Sequence, residues 1–265
     1  MNNKLLRNGL GLALVFGLMA QTFAHSPYEN LIAEQKVKHV GLAAAAQTGK
    51  GADLDKALKA LCQKGETKAL KKQGITNASF YKKLLPDGRT WYVVYFDYKG
   101  ENYLKAAESF EKAAPELAVL VDSHPRAKVH GAAWLQMEWV CFIRGVMDES
   151  LPTQSASCLV TRIKPEKEEL YRTLHQTVWP GVIDQLARSN NRNVSVFFME
   201  LGDELFEFLY LEYVGHDAAA DGASSKVDPC TLRWWALTDD CQDPLPEVKD
   251  GGIWAGMERI EAVAK

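Results

Sequence analysis

The chain has 265 residues, carries 34 acidic against 31 basic side chains, and has a formal net charge of −3. That balance excludes a basic nucleic-acid footprint and an extended polybasic patch for a membrane surface, so the partner expected is small and neutral. The length allows one large domain or two small ones.

Residues 1–24 read as a signal peptide. Lys4 and Arg7 precede an apolar run from Gly9 to Ala20, and Thr22-Phe23-Ala24 has the small-x-small form of a cleavage site. The run is too short to span a bilayer comfortably, and nothing later approaches the ~20 apolar residues a span needs. The mature protein, from His25, is therefore expected to be soluble and exported, periplasmic or secreted. A new terminal amine beside the His25 imidazole could chelate copper. The other histidines show no metal-ligand spacing, however, and no metal or cofactor is expected. The five cysteines, Cys62, Cys141, Cys158, Cys230 and Cys241, suit an oxidising compartment. Their odd number leaves at least one thiol free or paired between chains, and Cys230 and Cys241 could pair across a loop.

An internal repeat organises the rest. Gly74-Ile-Thr-Asn77-Ala-Ser79 leads through Asp87-Gly88 to WYVVYFDYKG, Trp91 to Gly100; Arg192-Asn193-Val-Ser195 leads through Gly202-Asp203 to FEFLYLEYVG, Phe206 to Gly215. Each reads as a hairpin of two apolar, aromatic-rich strands. WLQME, Trp134 to Glu138, is answered by WAGME, Trp254 to Glu258.

In the first copy the pattern predicts a strand over 37–46, a helix over 54–72, strands over 78–85 and 90–98, a helical or irregular stretch over 101–122 and a strand over 133–143. In the second the corresponding spans are 156–164, 166–188, 194–201, 204–213, 229–236 and 253–262. Both follow the β-α-β-β-α-β order of a ferredoxin-like unit. The fold class expected is α+β: two such units, residues 25–145 and 158–265, joined by a linker over 146–157. The open sheet faces pack together as an intrachain pseudo-dimer of the dimeric α+β barrel type. The chain would be a monomeric pseudo-dimer or a higher homo-oligomer. The Ala/Asp/Gly/Ser stretch His216 to Lys226 reads as a mobile loop.

Within the second copy, YRTLHQTVWP from Tyr171 to Pro180 stands out. Tyr171 and His175 lie one turn apart on a helix, so a phenol and an imidazole share one face. Pro180 should kink or restart that helix. The plain alternative is an amphipathic stripe of Tyr171, Leu174, His175 and Val178 with a hydrogen-bonded core histidine. Trp234-Trp235 has a similar alternative as core; two adjacent rings cannot face one way, so one could pack while the other lines a pocket. The aromatics of the hairpins read as core.

From Thr161 to Ile260 the second copy resembles the L-rhamnose mutarotase family. The likeness is carried by Lys164-Pro165-Glu166, Tyr171 with His175, Val178-Trp179-Pro180, the Asn193 to Gly215 hairpin, Trp234-Trp235 and Trp254 to Glu258. The resemblance implies ferredoxin-like units pairing through their sheets and interconversion of the α and β anomers of L-rhamnose or a related deoxy sugar. It makes His175 the proton-transferring residue, and it puts Tyr171, Trp234 and Trp235 on the sugar. A further tyrosine of the family pattern is replaced by Val194, and the closing strand reads Met257 to Glu261, MERIE. Both departures bear on sugar identity and turnover.

Mutarotation needs one group to protonate the ring oxygen and another to take the anomeric proton. A histidine can do either near neutral pH, whereas an unshifted phenol is suited to orienting the sugar. Glu258 and Glu212 are candidates for the partner acid or base. In the first copy Leu58 and Cys62 stand opposite Tyr171 and His175, so one unit is expected to be active and the other structural. Two other readings stay open: a secreted sugar-binding or structural protein that kept the pocket without catalysis, and a haem-binding monooxygenase of the same barrel type.

Overall fold

The computed structural model of the chain describes residues 36–63 and 67–262. The expected signal peptide and His25 lie outside the described residues. Among the described residues, twelve strands form two six-stranded antiparallel sheets. The first sheet is built on β1 (Lys38–Ala46), β2 (Ile75–Leu84) and β3 (Thr90–Tyr98), and the second on β7 (Ser155–Ile163), β8 (Asn191–Leu201) and β9 (Glu204–Tyr213). The chain is the ferredoxin-like pseudo-dimer that the repeat implies, with each central strand within a few residues of its expected span.

The period-2 alternation of the strands explains the layers. On β1, Val40, Leu42 and Ala44 join the helix-side core while Ala43 and Ala45 face the other sheet. On β3 and β9, Trp91, Val93 and Tyr95 meet Phe206, Phe208 and Tyr210 in one apolar layer between the sheets. Tyr95 and Tyr210, equivalent in the repeat, stack with ring centroids 3.4 Å apart. The hairpin aromatics are therefore core.

The two closing strands depart from expectation. Each was expected to finish its own sheet, and each instead changes sheet half-way. β5 (Leu135–Gln136) pairs with β1, and β6 (Glu138–Gly145) continues onto β8 of the other sheet. β11 (Ala255–Gly256) pairs with β7, and β12 (Glu258–Ala262) continues onto β2. The crossings fall on the repeated methionines. Met137 N donates to Gly41 O at 2.9 Å and Met257 N to Cys158 O at 3.0 Å, and both side chains are buried between the sheets. An uncovered β2 or β8 would leave a row of unpaired backbone groups, and the exchange pairs both rows within the chain.

On the outer faces, the first sheet carries α1 (Gly51–Leu61), α2 (Thr67–Lys72) and α3 (Ala106–Ala113), while α4 (Pro125–Val129) sends Ala127 into the layer between the sheets. The second carries α5 (Glu168–Gln176), α6 (Pro180–Arg188), α7 (Ala218–Ser225) and α8 (Pro229–Cys241). The helix expected over 166–188 is broken where Pro180 was expected to break it, with Pro180 as the first residue of α6. The stretch expected as a mobile loop contains α7, because Asp217 caps its first turn by accepting from Ala220 N at 3.0 Å and alanines fill the following positions.

All five thiols are free. Cys230 and Cys241 sit at opposite ends of α8, a separation of ~16 Å at the rise of a helix, well beyond the reach of a disulfide.

The first crossing depends on Gly41. A Cβ there would lie 2.7 Å from the Met137 Cε and 2.9 Å from the Phe197 ring. Gly41→Ala should therefore destabilise the protein by about 1–3 kcal/mol, measured by guanidinium unfolding. An unchanged midpoint would show that the crossing does not depend on this close approach.

Candidate active site

The only fully or nearly buried residues of α5 are Tyr171 and His175, and both turn toward the second sheet. The Tyr171 hydroxyl donates to one carboxylate oxygen of Glu207 on β9. Gln242 Nε2 donates to the other at 2.8 Å. The His175 ring stacks on the Tyr171 ring with centroids 4.1 Å apart, and its Nδ1 lies 3.0 Å from the Tyr171 carbonyl oxygen. A carbonyl can only accept, so Nδ1 carries the proton and the neutral ring keeps its lone pair on Nε2.

Trp234 meets the imidazole edge-on at 5.3 Å and Trp179 at 5.5 Å. Trp235, one residue further round α8, is 38% exposed. The tandem divides, with Trp234 in the cluster; Trp235, expected on the sugar, is turned toward solvent.

Burial sets the electrostatics. It holds the His175 pKa down to about 4, with the Tyr171 carbonyl opposing the shift, so the ring is neutral at pH 7. It pushes the Glu207 carboxyl up to about 7, against the hydrogen bonds from Tyr171 and Gln242. Burial first, and then the Glu207 charge, keep the Tyr171 phenol well above its ordinary value. The network thus holds a neutral imidazole, a neutral phenol and a carboxyl that exchanges its proton near neutrality.

Neither carboxylate considered from sequence as the second acid or base stands beside His175. Glu212 lies on β9 five residues beyond Glu207, on the opposite face, where it pairs with Arg192 at 3.0 Å and accepts from Asn77 at 2.6 Å and Asn193 at 3.1 Å. Glu258 has been carried to the first sheet by the strand exchange, where it is exposed and 3.3 Å from Lys82 Nζ. Glu207 was missed by sequence reasoning. Its signal is a carboxylate between Phe206 and Phe208 on the same strand face as Leu205 and Leu209, the face that the helices cover.

Tyr171 was expected to orient a sugar through its hydroxyl, and that hydroxyl is engaged with Glu207. Val194 joins the apolar cluster that contains Tyr171, so a hydrocarbon wall occupies the place of the family's phenol. In the first unit, Leu54, Leu58 and Leu61 fill the counterpart space, and Cys62 Sγ is turned to the Leu58 carbonyl at 3.7 Å. Tyr92 stands where the repeat puts Glu207, and its hydroxyl donates to Asp55 at 2.8 Å. Among the described residues, no group of three His, Cys, Asp or Glu side chains is placed to hold a metal ion.

Residues 156–261, the second unit with its exchanged closing strand, match the family model for L-rhamnose mutarotase. The chain is 27% identical over 86 residues to the L-rhamnose mutarotase of Tolumonas auensis, covering 32% of this chain and 77% of that protein. Two solved structures, candidate monooxygenases from Fusobacterium nucleatum and Lactobacillus acidophilus, are similar at TM-scores of 0.49 and 0.46. Their identities are 10% and 7%, covering 88% and 87% of this chain and 96% and 97% of theirs. The second unit thus resembles the L-rhamnose mutarotase family, as its motifs indicate, and the match supports a sugar mutarotase.

Glu207→Gln isolates the buried carboxyl. Glutamine can still accept from the Tyr171 hydroxyl, and its amide can donate to Gln242 Oε1, which has no partner, once the Gln242 amide turns over. A carboxyl raised to about 7 from the ordinary 4.5 binds its proton more tightly folded than unfolded. Its stabilising contribution is full below pH 4.5 and lost as pH rises through 7. Relative to the native protein, the variant should gain ~2 kcal/mol of stability between about pH 5 and pH 8.5 in guanidinium unfolding. A pH-independent difference would show that Glu207 does not titrate in this range.

Proposed function

We propose that the protein is an exported mutarotase acting on L-rhamnose or a related deoxy sugar, with His175 as the proton-transferring residue. The observation that carries the reading is the imidazole itself. It is nine-tenths buried, with Nδ1 fixed by the Tyr171 carbonyl and Nε2 left to react beside the Trp234 indole.

Neutral His175 acts first as a base. Nε2 takes the proton of the anomeric hydroxyl, the C1–O bond to the ring oxygen breaks, and the imidazolium so formed returns that proton to the ring oxygen. The product is the open-chain aldehyde, with no net change in protons. Rotation about C1–C2 and the reverse sequence close the other anomer. Burial makes the imidazolium costly, so the proton taken from the anomeric oxygen is readily returned. Tyr171 supports the imidazole by stacking beneath it and serves as a positioning residue. The Trp234 face offers an apolar wall to the C–H surface and 6-methyl group of a deoxy sugar. Export is supported by the charged, apolar and small-residue pattern of residues 1–24.

The Val194 substitution favours a second reading, a non-catalytic sugar-binding protein. Saturation-transfer NMR on anomer exchange of L-rhamnose, L-fucose and L-mannose separates the two. The mutarotase reading expects exchange faster than buffer with at least one sugar, and a loss of ~10²–10⁴ in rate in His175→Ala. Ligand line broadening with exchange at the buffer rate would leave only the binding reading. Because His175 must be neutral to accept a proton, the rate should fall as pH drops through about 4. An acid limb centred near the ordinary histidine pKa of ~6.5 would contradict a buried catalytic imidazole.

A further inference from the structure

A cavity of about 710 Å³ opens where the two units meet, away from His175, lined by β1, α2, β2 and β3 of the first unit and by β6 and β8. His39, 5% exposed, belongs to its lining. The Tyr95 hydroxyl donates to Asp97 Oδ1 at 3.1 Å, and His39 Nδ1 lies 2.7 Å from the Tyr95 oxygen and 3.1 Å from the same carboxylate oxygen. The single phenol proton is spent on Asp97, so Nδ1 of His39 is the donor toward both oxygens and Nε2 is left as an acceptor. Nε2 has no hydrogen-bond partner among the described residues. Phe142 stacks on the imidazole with centroids 3.9 Å apart and fixes the ring plane.

Beneath the cavity Asp97 is held by hydrogen bonds and Glu212 by an ion pair. Asn77 Nδ2 bridges Asp97 at 3.2 Å and Glu212 at 2.6 Å, and Glu212 is neutralised by Arg192 at 3.0 Å. At the rim Arg144 pairs with Glu149 at 3.3 Å. Lys36, Lys71 and Lys99 also line the cavity, and none makes an ion pair among the described residues. A network that served only to close the interface would use up its own donors and acceptors. This one leaves an imidazole nitrogen unused, in a lining that carries five basic side chains against the carboxylates of Asp97 and Glu149.

We propose that this cavity is a binding site for a small organic anion. The anionic group is drawn to Lys71 and Lys99, and a hydroxyl or other donor of the ligand reaches His39 Nε2. The volume lies within the ~300–1,000 Å³ usual for small-ligand sites. The site is shared by the two units at their junction, and it does not depend on the mutarotase reading.

Titration of the full-length protein with citrate, D-gluconate and inorganic phosphate, with neutral L-rhamnose as comparator, tests the proposal. The readout is the imidazole signals in ¹H–¹⁵N NMR. Citrate or gluconate should shift His39 saturably while leaving His175 in place. The exposed-residue variant Lys71→Glu/Lys99→Glu should weaken that binding at least about tenfold, and His39→Ala should weaken it while leaving anomer exchange unchanged. The proposal is overturned by the absence of saturable binding of citrate and gluconate up to about 10 mM, by phosphate binding alone, by L-rhamnose shifting His39 as strongly, or by undiminished binding after charge reversal. Because His39 and His175 are read separately, failure here and failure of the mutarotase reading are distinguishable.

Discussion

Pairing β2 and β8 on both sides within one chain is the constraint on which the structure rests. Two copies of a ferredoxin-like unit could meet face to face and still leave β2 and β8 with unpaired backbone groups. The chain removes both edges by sending each closing strand across at Met137 and Met257. The crossings also fix how the sheets face each other, and hence the register of the Tyr95–Tyr210 stack and of the apolar layer around it. The small residues of β1, Gly41 and Ala43 to Ala45, follow from the same demand, since that strand is covered on both faces.

Given this scaffold, the chemistry of the second unit is a consequence of burial. Glu207, Tyr171 and His175 are taken out of water together, and each is moved toward its neutral form. A neutral imidazole next to a carboxyl that titrates near 7 is an arrangement that an exposed site could not hold, because water would restore both groups to their ordinary values. The first unit keeps its strands and fills the equivalent space with leucines. A second buried polar network lies at the junction with its partner, around His39 and Asp97.

The central strands and the Pro180 break were legible in the sequence because alternation and proline stereochemistry are local. The pairing of Tyr171 with His175, and the divergence of Trp234 and Trp235, followed from helical spacing alone. The strand exchange was not legible: WLQME and WAGME read as single strands, and nothing local says that a strand changes partners at its methionine. That omission also misplaced Glu258, whose strand was assigned to the wrong sheet. Glu212 and Glu207 share β9 on opposite faces, and choosing between them required knowing which face the helices cover. The helix over 218–225 was hidden because small and acidic residues suit loops as well as capped helices.

The exchange gives the chain an order of completion. The first sheet lacks its outermost strand until residues 258–262 have been synthesised. A protein cut anywhere in its second half is then missing part of its first half as well. Each half of the molecule thus carries the strand that closes the sheet of the other.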